Sequence, residues 1–325
     1  MSTRIADARI ERFPLREPFV IARGAKTEAI VVTCTIADGD AIGRGEALPY
    51  PRYGERPEDV LAAIRGYAGP LDREGLARTL PPGAARNAID LGLWDLDAKR
   101  SGVRVHVLAG LPAPSVVPIA YTLTLRDPDA TRELARAHAR RPMLKLKLGG
   151  DGDVERVRAA REGAPDARLI VDVNEGWDRA ALDRNVEALS ALGVELIEQP
   201  LPAGEDDALV GYDGPIPLCA DESFVGGREQ LAGLGARYRA VNVKLDKTGG
   251  LTEAIACVRA ARDAGLDVMV GSMVASSLAV APGVLLAQGA RWADLDGPLY
   301  LAADRAPGLS FGVGTVHPPE PALWG

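Results

Sequence analysis

The stretch 143-MLKLKLGGDGDVERVRAAREGAPDARLIVDVNEGW-177 decides the fold. It opens on an apolar run, MLKLKL, passes through a charged segment of helical character, and reaches a second apolar run, LIVDV, carrying Asp172. Short apolar runs separated by amphipathic stretches are the pattern of alternating strands and helices.

The alternation continues in both directions. Upstream stands VPIAYT (117–122), and downstream follow ELIEQP (195–200), PLCADE (217–222), AVNVKL (240–245), DVMVGS (267–272) and WADLDG (292–297). Ahead of DVMVGS, Leu251, Ala254, Ile255 and Val258 fall at i, i+3, i+4 and i+7, one face of a helix. Most runs end in a functional group: Thr122, Lys147, Asp172, Glu198, Asp221, Lys244, Gly271 and Asp294, spaced 23–27 residues apart. Eight such units suit either a closed barrel or a doubly wound sheet. No GxGxxG turn follows the early strands, which weakens the nucleotide-binding version. A doubly wound sheet would also spread these groups along an edge, whereas a barrel gathers them at one mouth. The expectation is therefore α/β, with a (β/α)8-type barrel.

The front section reads differently. Residues 3–48 are expected to be strands: Ala29–Ala37 is rich in β-branched residues, Asp38-Gly39-Asp40 is a turn signal, and Ala41–Ala47 resumes. Helices are expected from Pro57 and over Ala84–Arg100, where Ala85, Ile89, Leu93 and Leu96 share a face. This α+β part carries no obvious chemistry.

Composition narrows the class of protein. Gly 36 and Pro 24 make up about 18% of the 325 residues, below the ~25–30% that marks low complexity. Thirty-eight basic against 45 acidic side chains leave a net charge of −7. With no basic tract, nucleic acid is not an expected partner. Cys34, Cys219 and Cys257 are too few and too scattered for a disulfide framework, and they suit a reducing cytoplasm. Charges at Arg4, Asp7, Arg9 and Glu11 deny the N-terminus a signal-peptide core. Val268–Ala287 is uncharged, but Gly271, Pro282, Gly283 and three serines make it a buried strand-turn-helix rather than a membrane span.

Asp172, Glu198 and Asp221 end three successive strands. Three ionised carboxylates placed together repel one another unless a cation sits between them. An all-oxygen set suits Mg²⁺, and no Cys/His pattern offers zinc a better site. Lys145 and Lys147, at i and i+2, point to one side of their strand. The strands of Lys147 and Lys244 lie on either side of the carboxylate strands, so a bound substrate would meet a lysine on each face. Desolvation, neighbouring lysines and the cation are expected to lower a lysine pKa towards that of a working base. Mg²⁺ and Lys145 would stabilise charge developing on a substrate carboxylate as its α-carbon loses a proton. Bases on both faces permit racemisation or epimerisation.

At this point the residues resemble the enolase superfamily, in its muconate-lactonizing subgroup. The resemblance rests on AIDLGLWDLDAKRSG, KLKLG with Lys145 and Lys147, VDVNEGW with Asp172 and Asn174, IEQPL with Glu198, ADES with Asp221 and Glu222, and VNVKLDKTGGL with Lys244. It implies an α+β capping domain, residues 1–115, on a (β/α)7β barrel, residues 116–306, with 307–325 returning to the cap. It also implies a Mg²⁺ cofactor, with Asn174 and Glu222 supporting its ligands.

Within the subgroup the chain most resembles dipeptide epimerases acting on L-Ala-D/L-Glu, which implies a small dipeptide substrate and a place in murein peptide metabolism. Asp294 and Asp296, at i and i+2 in WADLDGP, can both face the mouth and receive a free ammonium. In the resembling family this pair does so. Arg23 in FVIARGAK, and Arg52, Tyr53 and Glu55 in PYPRYGE, look like loops that close over the substrate side chain, although Arg52 reads better as a surface residue. Thr122, Ser272 and Met273 are further expected contacts. Some relatives carry an acidic residue near Ala275, and its absence leaves specificity there open.

His106, His138 and His317 end no barrel strand and are set aside. Cys219 reads as core and Lys247 as a solvated loop charge. Other readings stay open: an o-succinylbenzoate synthase or cycloisomerase-type lyase, an epimerase of another dipeptide, a ligand-binding barrel without turnover, and a metal-free Schiff-base aldolase. A homo-oligomer is compatible with the sequence but not specified by it.

Overall fold

The structure, a computed structural model, describes residues 3–325. Three antiparallel strands open it in the order β1 (Arg4–Ile21), β2 (Gly24–Asp38) and β3 (Ala41–Ala47). The β-branched run puts Val32 and Ile36 of β2 into a core shared with Ile89, Leu93 and Leu96 of the helix Ala84–Ser101. The approach is so close that a Cβ on Gly45 would stand 2.0 Å from the Ala88 carbonyl oxygen, and one on Gly43 2.1 Å from that of Gly92. Glycine is the residue that lets a strand lie on a helix at that distance.

After the short β4 (Val117–Pro118) come eight parallel strands: β5 (Tyr121–Leu123), β6 (Met143–Lys147), β7 (Arg168–Asp172), β8 (Val194–Glu198), β9 (Leu218–Ala220), β10 (Ala240–Lys244), β11 (Asp267–Gly271) and β12 (Trp292–Asp294). Each pairs with its sequence neighbours. A backbone bond from Ala120 N–H to the Ala293 carbonyl, 2.8 Å, brings the first and last strands together. The fold is thus mixed α/β, a nearly closed parallel barrel carrying an N-terminal antiparallel sheet. Two connections depart from the expected helices. Those after β8 and β9 hold only 3-10 turns, Asp206–Leu209 and Arg228–Ala236. Gly204, Gly211 and Pro215 in one, and Gly226, Gly233 and Gly235 in the other, make an α-helix costly there.

The barrel interior is layered by the two-residue period of its strands. One apolar side chain from each strand position, Ala120, Met143, Ile170, Leu196, Cys219, Ala240, Met269 and Trp292, forms a single buried cluster, the floor. Two residues further along each strand stand Thr122, Lys145, Asp172, Glu198, Asp221, Asn242, Gly271 and Asp294, where the polar groups begin.

The rest of the chain braces this arrangement. Of the tail strands β13 (Phe311–Gly312) and β14 (Thr315–Val316), β14 pairs with β4 at the foot of the barrel and β13 pairs with β14. Trp324 Nε1 then donates to the Leu91 carbonyl of the cap helix. At the mouth, the β1–β2 hairpin reaches over the barrel, with Leu125 N–H bonded to the Val20 carbonyl at 2.9 Å. The uncharged stretch forms β11 and the buried helix Ser277–Leu286. Among the described residues no helix is long and apolar enough to cross a membrane.

Candidate active site

Alternation along β6, β7, β8 and β12 aims Lys145, Asp172, Glu198 and Asp294 into the barrel, and all four are buried. Lys145 Nζ lies 2.5 Å from Glu198 Oε2, 2.6 Å from Asp294 Oδ2 and 3.1 Å from Asp172 Oδ2. Lys147 Nζ stands 2.6 Å from Asp172 Oδ2, and Lys244 Nζ 2.7 Å from Asp221 Oδ2. The strand order puts the carboxylate strands β7, β8 and β9 between those of the two lysines.

The electrostatics follow from burial and these pairs. Burial, then the charge of Asp172, pushes Glu198 up to about 7. Burial acts the same way on Asp172, but Lys147 and Lys145 outweigh it and hold its pKa below the usual carboxylate range. Asp221 is held low by Lys244 and Lys247, again against burial. Lys244 departs from expectation. Burial alone would depress its pKa, yet Asp221 and Glu198 raise it above the ordinary lysine value. For Lys145, Asp294, Glu198 and Asp172 outweigh burial in the same direction.

Among the described residues the three carboxylates do not stand as a ready-made metal cage, because lysines neutralise them pairwise. Donor type and unmet valence nevertheless fit a hard cation. Glu198 Oε2, Glu222 Oε2 and Asn174 Oδ1 are buried and lack a hydrogen-bond partner, the 2.5 Å contact of Lys145 with Glu198 lying off hydrogen-bond direction. An all-oxygen set with strong negative charge is what Mg²⁺ takes.

Above this layer lies a cavity of about 460 Å³. Lys147, Lys244, Asp221, Asp294 and Asp296 line it, as do Thr122, Asn174, Glu222, Ser272 and Met273, with Arg23, Arg52 and Tyr53 contributed by the cap. Lys145, Asp172 and Glu198 lie beneath that lining. Asp296 accepts on Oδ2 from Thr122 N–H (2.7 Å) and Tyr300 Oη (2.6 Å). Burial and then Asp294 push its pKa up to about 7. Its carbonyl also accepts from Leu299 N–H, so the main chain makes the turn while the side chain faces the cavity.

The cap contacts differ in part from the sequence reading. Arg23 donates to the Asn174 carbonyl (2.8 Å), Glu175 Oε2 (3.0 Å) and Glu222 Oε1 (2.6 Å). Arg52 is no free surface residue: it binds Glu175 bidentately at 2.7 and 2.6 Å. Glu55 instead accepts from Ala84 N–H at the start of the cap helix. Lys247, read as solvated, is buried and donates to the Asp221 carbonyl, Asp221 Oδ1 and the Asn242 carbonyl at 2.6–2.9 Å.

Three other participants escaped the sequence reading. Asn242 donates to Glu198 Oε1 at 2.7 Å; its position two residues before Lys244 was the available signal. Gln199 and Glu175 have left-handed backbones, φ +37° and +68°, where non-glycine residues are strained. Neither is marked by period or spacing.

Comparison with known proteins agrees with this architecture. Residues 5–110 match the mandelate racemase / muconate lactonizing enzyme N-terminal domain, and residues 129–310 the enolase C-terminal domain-like family. The chain belongs to the enolase superfamily. Within that superfamily it is 44% identical to the L-Ala-D/L-Glu epimerase of Escherichia coli strain K12, over 94% of this chain and 97% of that one. It is 43% identical to an N-acetyl-D-glutamate racemase of Pseudoalteromonas, over 91% and 95%. An enolase family member from Agrobacterium tumefaciens, with homology to dipeptide epimerases and solved with sodium and L-Ala-L-Glu, superposes with a TM-score of 0.94 at 48% identity, covering 98% and 99%. A Methylococcus capsulatus dipeptide epimerase, solved with Mg and L-Arg-D-Lys, gives 0.89 at 33% identity, covering 97% of each chain.

Proposed function

We propose that this enolase-superfamily protein is a Mg²⁺-dependent dipeptide epimerase, an isomerase inverting the α-carbon of the C-terminal residue in L-Ala-D/L-Glu-type dipeptides. The observation that carries this reading is the placement of Lys147 and Lys244 on strands flanking three buried carboxylates, both facing one cavity edged by Asp294 and Asp296. Asp172, Glu198 and Asp221 would hold the metal. Once bound, Mg²⁺ would take up the carboxylate charge now paired with the lysines and would polarise the substrate carboxylate.

The chain's own groups supply the rest. One of Lys147 and Lys244 accepts the α-proton while the other, protonated, returns one to the opposite face. Lys145, fixed below by three carboxylates, presents positive charge where negative charge develops. Asp294 and Asp296 receive the dipeptide ammonium, and Arg23 closes the roof through Glu222 and Glu175. The relatives named above support the substrate class.

Incubating the Mg²⁺-loaded protein with L-Ala-L-Glu in D2O and following the Glu α-proton by NMR tests the reading. Deuterium uptake with formation of the D-epimer is expected, and no exchange on any dipeptide sinks it. A second reading, racemisation of an N-acyl glutamate, is favoured by the Pseudoalteromonas relative and by Asp296, whose pKa near 7 would let a protonated carboxyl donate to an acyl oxygen. N-acetyl-L-glutamate in the same assay separates the two. We also place the activity in the cytoplasm on murein-derived peptides, with neither nucleic acid nor membrane as partner.

A further inference from the structure

Tyr300 stands behind the acid pair that follows β12. The 3-10 turn Gly297–Tyr300 folds the chain back, so that the Tyr300 hydroxyl reaches the side chain of Asp296 four residues earlier. Its Oη lies 2.6 Å from Asp296 Oδ2, 2.8 Å from the Thr122 carbonyl and 2.9 Å from Thr122 N. The ring stands edge-on to Phe19, 5.0 Å between centroids, and stacks on Tyr121 at 5.6 Å. It borders a separate cavity of about 180 Å³ rather than the one lined by Lys147 and Lys244. Any influence of Tyr300 on a substrate therefore passes through Asp296.

A phenol carries one proton, and here two oxygens compete for it. The carboxylate is the nearer acceptor and, when ionised, the stronger one. Burial and Asp296 push the phenol well above its ordinary pKa, so it remains a donor at neutral pH. Asp296 Oδ2 thus takes both the Tyr300 O–H and the Thr122 N–H, and among the described residues nothing donates to Oδ1. Asp294 is more fully engaged. Its Oδ2 is held by Lys145 at 2.6 Å, and its Oδ1 faces Thr122 Oγ1 at 3.4 Å. The unanswered oxygen of the pair is Asp296 Oδ1.

We infer that Tyr300 is a positioning residue that keeps Asp296 ionised, with Oδ1 free for the cavity, so that the site selects a substrate bearing a free ammonium. This rests on the epimerase reading and names what fixes its preference for an amine over a plain acyl group. The surroundings of Asp296 make such a residue necessary. Burial and Asp294 oppose its charge, while Tyr300, Thr122 N–H and Lys145 of β6 favour it, leaving a pKa of about 7. Tyr121 of β5 adds no charge, because burial and Asp296 raise its phenol too. At a pKa so close to neutrality, one hydrogen bond decides whether Asp296 meets the substrate as an anion or as a neutral acid.

The test compares L-Ala-L-Glu with N-propionyl-L-glutamate, the same skeleton without the amine, on the Mg²⁺-loaded protein. Calorimetric Kd and the pH profile of kcat/KM are both read. Wild type is expected to prefer the amine. Tyr300→Phe keeps the ring between Phe19 and Tyr121 and removes only the hydroxyl. It should shrink that preference by about 10-fold or more, the range of a hydrogen bond to a charged group. The acid limb of the L-Ala-L-Glu profile should also rise by about one pH unit, since Asp296 then ionises later. Fluorotyrosine at position 300, a stronger donor of nearly the same shape, should move that limb the other way. An amine preference that is missing in wild type, or an acid limb unmoved by both replacements, overturns the assignment. If wild type exchanges no α-proton but its preference for the amine in binding depends on the Tyr300 hydroxyl, the epimerase reading fails and the role of Tyr300 stands.

Discussion

Gln199 accepts the backbone N–H of Asp221 on its side-chain Oε1 at 2.9 Å, tying the end of β8 to the carboxylate at the end of β9. The same oxygen takes Ser223 N–H at 3.0 Å, while Nε2 lies 2.8 Å from both the Leu201 carbonyl and Ser223 Oγ. Gln199 is fully buried, so removing its amide leaves several polar groups unanswered. Gln199→Leu is expected to cost about 2–4 kcal/mol in urea unfolding. It should also weaken Mg²⁺ binding by roughly 10- to 100-fold, because Asp221 loses the group that orients it. Unchanged Mg²⁺ titrations would remove Gln199 from the positioning role.

Lys147 and Lys244 contribute from opposite sides of the carboxylate strands, so their variants should differ by enantiomer. Lys147→Ala and Lys244→Ala are each expected to lower epimerisation by more than about 10³-fold. One variant should keep deuterium exchange with the L-Glu dipeptide and the other with the D-Glu dipeptide. Equal loss of both exchanges in both variants would contradict two separate bases.

Much of this site was legible because a barrel converts chain spacing into proximity. The 23–27-residue step between strand ends identified the polar ring, and period-two alternation put Lys145 beside Lys147. What escaped depends on loops. Lys247 lies on the turn Leu245–Thr248, and only the path of that turn folds its stem under Asp221. The bidentate Arg52–Glu175 pair joins cap to barrel across 123 residues of sequence, with no period to announce it. Nor could spacing show that the carboxylates would hold Lys244 above its ordinary pKa, which depends on distances of a few ångströms.

Asp246 supplies a pH-dependent joint between barrel and cap. Its Oδ1 accepts from Leu48 N–H at 3.0 Å and Asn87 Nδ2 at 2.8 Å, and burial pushes its pKa up to about 7 from 3.8. Between these values the native state keeps a proton that the unfolded chain has released. The contribution is therefore fully present below about pH 4 and is lost as pH rises through about 7. Asp246→Asn should remove a decline on the order of 2 kcal/mol or more across that window. Melting curves from pH 4 to 8 check it: the gap between variant and wild type should move in the variant's favour as pH rises. A constant gap would show that Asp246 does not titrate there.

Gly271, at the end of β11, keeps Lys244 in place by lacking a side chain. A Cβ there would stand 2.6 Å from Asn242 Oδ1, 2.9 Å from its Nδ2 and 3.1 Å from Lys244 Cε. Asn242 cannot yield freely, because its amide holds Glu198 Oε1 at 2.7 Å. The strain should therefore pass to Lys244, whose ammonium has to reach both Asp221 and the cavity. Gly271→Ala is expected to destabilise the fold by about 1–3 kcal/mol, the usual cost of overpacking. Its effect on turnover should be lopsided, with the exchange that depends on Lys244 falling about 10-fold or more below the one that depends on Lys147. Enantiomer-resolved α-proton exchange measures this directly. If both exchanges fall together, the methyl acts through Glu198 and Asn242 rather than through the lysine.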